Sequence, residues 1–426
     1  MAQTTETIDQ NQNQNASSNK PKWLLVLGAM GPGILTAMAG NDAGGISTYS
    51  SAGALFGYKT LWMILVMTFL LIVAQESACR MGVVTGKGFA SLIREKFGVR
   101  LTAFAMLALV ISNVAINFSN FAGIASGMEL FGVPKYISLP FAGIAVWLLI
   151  MSGSYRRVEK ILLAVSSVFI TYVIAAFLAG PDWGQVAKST FIPQVVPSAS
   201  FISLTIAAIG ATIAPWMIFL AQNNVVDKGA GVESLPYQRI DAVTGSVLGC
   251  LIAWFIIITT GTILHPQGIV IDEAADAARA LAPIAGPFAE KLFAAGLVAA
   301  SFLAACVLPG VTSSAVCEAF GWERGENRTW EEAPTYKTIS TIVIISGVVV
   351  VLTPNINLFQ MMVTAQVIAG VLLPVLLFFL IFIINDKRIM GKFTNGRVWN
   401  VLTWLTIIIV TILTIAMFVL EFLNIG

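Results

Sequence analysis

The sequence predicts an all-α polytopic membrane protein with eleven transmembrane helices, and three observations carry this prediction. Hydrophobic residues make up 57% of the 426 residues and charged residues only 11%, whereas soluble domains carry about 25% charged residues. Apolar segments of about 20 residues, long enough to span the hydrocarbon, recur along the chain. Most of the 24 Lys and Arg residues fall in alternate loops, as the positive-inside rule expects of cytoplasmic loops.

Eleven apolar segments have the required length, and the first and sixth are interrupted by Gly or Pro. The segments are 23–56, 60–80, 102–128, 135–153, 159–180, 202–227, 243–264, 288–318, 337–353, 357–384 and 398–423. With the N-terminus in the cytoplasm, the outer loops hold only Lys59, Lys135, Lys188, Arg279 and Lys291. Residues 1–22, rich in Asn, Gln and Ser, predict a disordered cytoplasmic tail. Residues 23–426 form a single transmembrane domain of the plasma membrane.

The two interrupted segments lie five spans apart. Because five crossings is an odd number, a second copy of a five-helix unit begins on the opposite face of the membrane. We therefore predict an inverted repeat, with repeat one at about 23–180, repeat two at about 202–384 and an additional helix at about 398–423. Paired broken helices in inverted repeats surround the binding site of many secondary transporters. In the second break Pro215 lacks an N–H, which frees carbonyls near Ala211.

Asp42 is the only acidic residue well inside a predicted span. A central Asp costs about 2.5–3.5 kcal/mol on insertion scales, which marks a candidate functional site. The alternative is structural, because Gly40 and Gly44 form a GxxxG motif that lets helices pack closely. The interruption of the sixth segment favours a functional site over a packing role for Asp42, because close helix packing does not require a second helix with an opened backbone. Opened carbonyls, one carboxylate and no neighbouring Lys or Arg predict a cation site. Gln366, alone among apolar residues, offers a further oxygen or a helix–helix hydrogen bond.

Composition excludes several other classes of function. A net charge of +2 gives no reason to expect a nucleic-acid partner. A single histidine excludes histidine-rich metal sites and His-based catalytic triads. The four cysteines are widely spaced without a CxxC motif, which favours core packing. Since no hydrolase or nucleotide-binding motif is present either, we expect neither an enzyme nor a bound cofactor.

Four segments resemble the NRAMP divalent-metal transporters. "GPGILTAMAGNDAGG" and "RMGVVTGKGFASLIREKFG" look like the first two helices of that family, "IGATIAPWMIFLAQ" like the sixth and "AQVIAGVLLPVLLFF" like the tenth. The resemblance covers about residues 23–390. It implies a leucine-transporter-like fold of eleven or twelve helices and a divalent metal ion as the transported substrate.

The sequence departs from this family at three motifs. The first-helix motif Asp-Pro-Gly-Asn is replaced by Asp42-Ala43-Gly44-Gly45, and the sixth-helix motif Met-Pro-His by Ala214-Pro215-Trp216. The acidic run of the third helix is replaced by the stretch 117–120, "NFSN", which has no acid. This pattern resembles the NRAMP-related magnesium transporters, a branch without evident proton coupling.

The resemblance implies a ligand set for the metal ion. Asp42 is the anionic ligand, the carbonyls of Ala39 and Ala211 face the ion, and Gln366 offers an oxygen directly or through water. Gly45 and Ala214 widen the pocket and leave it without sulfur, which removes a soft ligand. We therefore expect import of partly hydrated Mg²⁺, with Mn²⁺ also carried. Because no group with a near-neutral pKa remains on the route, we expect no proton coupling.

Three alternatives remain open. The closest is a proton-coupled Mn²⁺ or Fe²⁺ importer of the NRAMP type. A second shares the inverted-repeat fold but carries an amino acid with sodium, although Asp42 would repel the substrate carboxylate. The third is a non-transporting membrane sensor or scaffold. For the transporter, we expect the divalent ion and the lipid bilayer as partners, and a monomeric state.

Overall fold

The structure is a computed structural model that describes residues 40–152, 171–325 and 327–422, with side chains described to residue 419. Within these ranges every regular element is helical. Sixteen α-helices are numbered in chain order: α1 (Ala43–Phe56), α2 (Leu61–Thr85), α3 (Phe89–Leu130), α4 (Lys135–Ser152), α5 (Thr171–Ala179), α6 (Trp183–Phe191), α7 (Ala199–Thr212), α8 (Pro215–Asp227), α9 (Leu235–Ile263), α10 (Ala274–Ala278), α11 (Ala282–Ala285), α12 (Ala289–Phe320), α13 (Pro334–Leu352), α14 (Leu358–Ile384), α15 (Lys387–Met390) and α16 (Arg397–Phe422).

The helical membrane fold predicted from the sequence is confirmed, whereas the count of eleven spans stays a prediction. Nine helical stretches among the described residues are long and apolar enough to cross a membrane, and one of them, Ala43–Thr85, contains both α1 and α2. The first half of predicted span 1 and most of predicted span 5 lie outside the described residues, as does the predicted tail 1–22.

Two helices begin ahead of the apolar segments predicted to span the membrane. Helix α3 begins at Phe89, before the segment 102–128, and α9 begins at Leu235, before the segment 243–264. Both added parts carry charged residues, which are costly in hydrocarbon. Charged side chains are good helix formers outside the bilayer, so the helices extend beyond their apolar segments. Gly98, at φ 75°, interrupts α3 between its charged start and its apolar body.

The two broken segments lie together in the interior. Helix α1 packs against α9, α14 and α7, while α3 packs against α12, α14 and α13. The stretch Ala199–Asp227, which contains α7 and α8, is the most buried of the apolar stretches described. The residues at the breaks are therefore held by four or more helices and are shielded from lipid.

Charged side chains pair near the ends of the helices. Glu76 on α2 is paired with Arg80 at 3.1 Å and with Arg239 on α9 at 2.8 Å. Lys96 near the start of α3 lies 2.9 Å from Asp386, which follows α14. The Glu76–Arg239 and Lys96–Asp386 pairs join elements that are distant in sequence, whereas Glu76–Arg80 lies within α2.

Candidate metal centre

Asp42 occupies the break at the start of α1. Gly40 is helical, Asn41 and Asp42 are not, and α1 begins at Ala43. The backbone of Asp42 is extended (φ −73°, ψ −175°), and its Oδ1 accepts a hydrogen bond from the Gly45 N–H at 2.9 Å. A carboxylate that caps a helix N-terminus is stabilised by the free N–H groups and by the helix dipole. The break therefore holds this carboxylate at a fixed point inside the protein.

Gln366 on α14 lies against Asp42. Its Nε2 donates a long hydrogen bond of 3.4 Å to Asp42 Oδ1. Asp42 is 3% exposed and Gln366 1% exposed. The Gln366 Oε1 has no hydrogen-bond partner among the described residues, and a buried acceptor without a partner costs about 1–3 kcal/mol. The pair thus combines a buried carboxyl group with an unpaired amide oxygen.

Gly44 makes room for the Gln366 side chain. A Cβ built at Gly44 overlaps the Gln366 amide. No larger residue at position 44 allows the amide to stay beside Asp42 in its present position. Gly45, by contrast, contacts Asp42 through its own N–H, and a Cβ there would lie 3.0 Å from the Gly40 carbonyl oxygen.

The second break lies between α7 and α8, as the sequence predicts. Helix α7 ends at Thr212, α8 begins at Pro215, and Ala214 between them is extended (φ −61°, ψ 135°). An α-helix would pair the Ala211 carbonyl with the N–H of residue 215. Because proline has no N–H, that helical partner is missing.

A cavity of about 20 Å³ touches both breaks. Its lining includes Gly40, Asn41, Ala211, Thr212, Met217 and Cys250. This volume has room for about one water molecule. Asp42 is also nearly inaccessible, so its carboxyl group is shielded from solvent in this conformation.

Met217 and Cys250 both border this cavity, whereas the sulfur-free pocket expected around Gly45 and Ala214 stays a prediction, since neither of these residues lines it. Met217 lies three residues after Ala214, and residues three apart share a helix face. The missing side chain of Gly40 makes space for Met217: a Cβ at Gly40 would overlap its terminal methyl and lie 3.7 Å from its sulfur. Neither Met217 nor Asn41 was predicted as a lining residue, although both are adjacent to predicted positions.

The structure therefore brings most of the predicted site residues to the two breaks. Asp42, Gly45 and Gln366 lie together, Ala211 lines the cavity with Asn41, and Ala214 immediately precedes α8. Ala39 lies outside the described residues. Among the described residues, no group of three or more His, Cys, Asp or Glu side chains is placed to hold a metal ion. The predicted metal ligands therefore comprise one carboxylate and otherwise neutral donors, which is a small ligand set for a divalent metal ion.

A stripe of asparagines on α3, formed by Asn113, Asn117 and Asn120, is fully buried. Asn113 Nδ2 donates to Thr312 Oγ1 at 2.9 Å, and Asn117 Nδ2 donates to the Val343 carbonyl at 2.7 Å. Neither amide atom of Asn120 has a hydrogen-bond partner among the described residues. The stripe links α3 to α12 and α13 through groups that do not titrate.

A family model described as "Natural resistance-associated macrophage protein-like", or Nramp, matches residues 33–420. The chain belongs to the Nramp family. "Divalent metal cation transporter MntH" of Ralstonia nicotianae is 27% identical over 406 residues, covering 92% of this chain and 90% of the relative. The protein of the same name from Bacillus subtilis is 25% identical over 400 residues, covering 92% and 91%. These named relatives of the Nramp chain are transporters and not enzymes.

Solved structures support the fold of this Nramp chain. A crystal structure of the Eremococcus coleocola manganese transporter superposes with a TM-score of 0.74 at 23% identity, covering 93% of this chain and 87% of that one. The transporter MhsT, crystallised with L-phenylalanine, superposes with a TM-score of 0.56 at 16% identity, covering 91% and 97%. The predicted leucine-transporter-like fold is thereby confirmed, at the level of the fold alone.

Proposed function

We propose that this Nramp protein imports divalent metal ions across the plasma membrane, with Mg²⁺ as the main substrate and Mn²⁺ also carried. The family and the names of the relatives support a divalent cation. The single observation that carries the site is the buried Asp42 carboxylate, placed at a helix break beside the unpaired Oε1 of Gln366.

The proposed ligands are mostly oxygen atoms. Asp42 supplies the charge, the carbonyls of Ala39 and Ala211 face the ion, and Gln366 contributes Oε1. Because Asp42 now faces the Gln366 Nε2, the amide must turn to present its oxygen to a cation. Carboxylate, carbonyl and water oxygens suit Mg²⁺ and Mn²⁺. Gly45 and Ala214 give no side-chain ligand, which leaves coordination positions for water that Mg²⁺ releases reluctantly.

The closed site implies a conformational step. A hydrated ion cannot reach a carboxylate that is 3% exposed, so we propose that the two breaks move apart on one side of the membrane and then on the other. The membrane potential supplies about 2.3 kcal/mol per charge per 100 mV, hence about 4.6 kcal/mol for a divalent cation. This energy is sufficient for uptake without a coupled proton. The neutral asparagine stripe and Trp216, which replaces a histidine of the family motif, support transport without protons.

The decisive experiment compares Asp42→Asn with Asp182→Asn in proteoliposomes that contain the full chain. Asp182 is a matched control because it also caps a helix, accepting hydrogen bonds from Gly184 and Gln185. We expect Asp42→Asn to lower Mg²⁺ flux by at least about tenfold, since a charge-assisted contact contributes about 1.5–3 kcal/mol. Asp182→Asn should leave the flux unchanged. Wild-type flux in a folded Asp42→Asn protein would remove the basis of the site.

Two further measurements separate this proposal from proton-coupled manganese or iron import. Internal pH should stay constant while Mg²⁺ enters, whereas the alternative predicts acidification. The double variant Ala214→Met with Gly45→Asn adds a thioether and an amide and should shift uptake from Mg²⁺ toward Mn²⁺. An unchanged ratio of the two fluxes would contradict the argument from ligand softness.

A further inference from the structure

The small cavity between the breaks is lined in part by sulfur-containing side chains. Two of its lining side chains carry sulfur, Met217 on α8 and Cys250 on α9, and both are at least 95% buried. Buried thioethers and thiols are common in protein cores, but these two border a void that also touches the backbone of both broken helices. The void therefore places soft donors next to the proposed oxygen ligands.

Residues with oxygen atoms line the same cavity as Met217 and Cys250. Ala211, whose carbonyl lacks its helical partner, lines the cavity together with Asn41, the residue directly before Asp42. The Asn41 amide donates to the Gly249 carbonyl at 3.3 Å, and Thr212 shares a hydrogen bond of 2.9 Å with Tyr49. Several lining polar groups are thus fixed in place, and the room for about one water molecule also suffices for a bare metal ion.

Gly40 controls access of the thioether to the cavity. A Cβ at position 40 would overlap the Met217 methyl group and lie 3.7 Å from its sulfur. The absence of a side chain at Gly40 therefore leaves the space that the terminal methyl of Met217 occupies. The contact depends on both breaks, because Gly40 lies at the first break and Met217 follows the second.

From this arrangement we infer that the cavity bordered by Met217, Cys250, Asn41 and Ala211 is a subsite for soft divalent metal ions, with the Met217 thioether as its distinguishing ligand. The inference rests on the proposed function, because the ion arrives by way of the Asp42 site. Thioether sulfur favours soft and late metals, whereas Mg²⁺ prefers oxygen. The subsite therefore extends the substrate range toward Cd²⁺ and, more weakly, Mn²⁺, without serving Mg²⁺.

The test compares Met217→Leu with Met81→Leu in the full chain reconstituted in proteoliposomes. Leucine keeps the apolar volume but removes the sulfur. Met81 on α2 is also fully buried and does not line the cavity, so its variant controls for the loss of a core methionine. Fluxes of Cd²⁺, Mn²⁺ and Mg²⁺ are measured in parallel, together with Cd²⁺ binding to the purified protein by calorimetry.

We expect Met217→Leu to lower Cd²⁺ flux and affinity by at least about fivefold, to lower Mn²⁺ flux less and to lower Mg²⁺ flux least of the three. Met81→Leu should change none of them. Unchanged Cd²⁺ affinity in Met217→Leu, or an equal fall for all three ions, would overturn the subsite.

Two further variants distinguish a failure of the subsite from a failure of the proposed function. Gly40→Ala, which displaces the Met217 side chain, should reproduce the selective loss of Cd²⁺, and wild-type Cd²⁺ affinity in this variant would contradict the subsite. Asp42→Asn should abolish all three fluxes. Surviving fluxes in Asp42→Asn would refute the proposed function, whereas the cadmium-selective effect of Met217→Leu reports only on the subsite.

Discussion

The contact between Asp42 and Gln366 is weak by its geometry. Its 3.4 Å separation exceeds the usual 2.7–3.2 Å of an N–H···O hydrogen bond, while the opposite atom of the same amide has no partner among the described residues. Because this hydrogen bond is long, the Gln366 amide gives up little hydrogen-bond energy when it turns. The residue pair is therefore suited to exchanging a hydrogen bond for a metal contact.

Gly44→Ala tests whether the position of the Gln366 amide matters. Because the new Cβ overlaps that amide, and overpacking costs about 1–3 kcal/mol, we expect Mg²⁺ flux to fall by about tenfold. The matched experiment is a double-mutant cycle with Gln366→Ala, measured as initial flux. In the Gln366→Ala background the overlap is gone, so Gly44→Ala should have little additional effect. Simple additivity of the two losses would contradict a clash between these residues.

At the scale of single residues, the sequence identified the isolated polar side chains at the breaks but not the residues that line the cavity beside them. Asp42 and Gln366 were identifiable because each is an isolated polar residue in an apolar segment. Met217 was not, because a methionine in a membrane helix is ordinary and only the packing of α8 against Gly40 brings its sulfur to the breaks. Asn41 was overlooked for a similar reason, since its place in the lining depends on α9.

The separation of α7 from α8 depends on one imino acid. Pro215 lacks the N–H that a continuous helix would direct to the Ala211 carbonyl, and Ala214 before it is extended, as residues before proline prefer. The break was predictable because its cause is local in sequence. It is also the break that leaves the Ala211 carbonyl without its helical N–H partner.

Pro215→Ala should partly close this break. The new N–H can pair with the Ala211 carbonyl, and a net hydrogen bond of about 1 kcal/mol predicts an increase of about fivefold in the KM for Mg²⁺ uptake. The matched control is Pro374→Ala, because Pro374 lies inside the uninterrupted helix α14. If both variants change the KM equally, the effect is one of general helix rigidity and not of the Ala211 carbonyl.

Other features of the helices could not be predicted from the local sequence. The start of α3 at Phe89 and its interruption at Gly98 require a helix that leaves the bilayer and continues in water. A hydrophobicity window cannot detect this, because it stops at the first charged residues. The sixteen helices also reflect short connections such as α10, α11 and α15, each five residues or fewer, which carry no periodicity to read.

At the scale of the whole molecule, ion pairs connect the helix ends. Lys96 and Asp386 join the start of α3 to the turn after α14, and Lys96 also donates to the Phe382 carbonyl. The hydrogen bond from Lys96, followed by the one from the Arg388 N–H, lowers the pKa of Asp386 below its ordinary value of 3.8. A carboxyl group with a lowered pKa stabilises the fold at neutral pH and loses this contribution as the pH falls through its folded-state pKa.

Asp386→Asn should reveal this contribution. The amide still caps α15 but no longer pairs with Lys96 as a charge, so we expect a loss of about 0.2–1 kcal/mol at pH 7. The difference from wild type should vanish below the lowered pKa, where the wild-type carboxyl is protonated. Thermal unfolding of the detergent-solubilised protein at pH 7 and at successively lower pH measures this difference and its loss. Glu95→Gln, which removes the half-exposed pair with Lys87, should change stability less, and an equal loss would contradict the special role of Asp386.

The neutral asparagine stripe of α3 has a consequence for physiology. Amides neither bind nor release protons between pH 5 and 8, so a carrier that uses such a stripe in place of acids has no second gradient to hold its cargo inside. Its direction then depends on voltage and on the metal gradient alone. If this protein carries Mg²⁺ without protons, as we propose, a cell that depolarises would lose stored magnesium through it, and retention would require the carrier to be shut by other means.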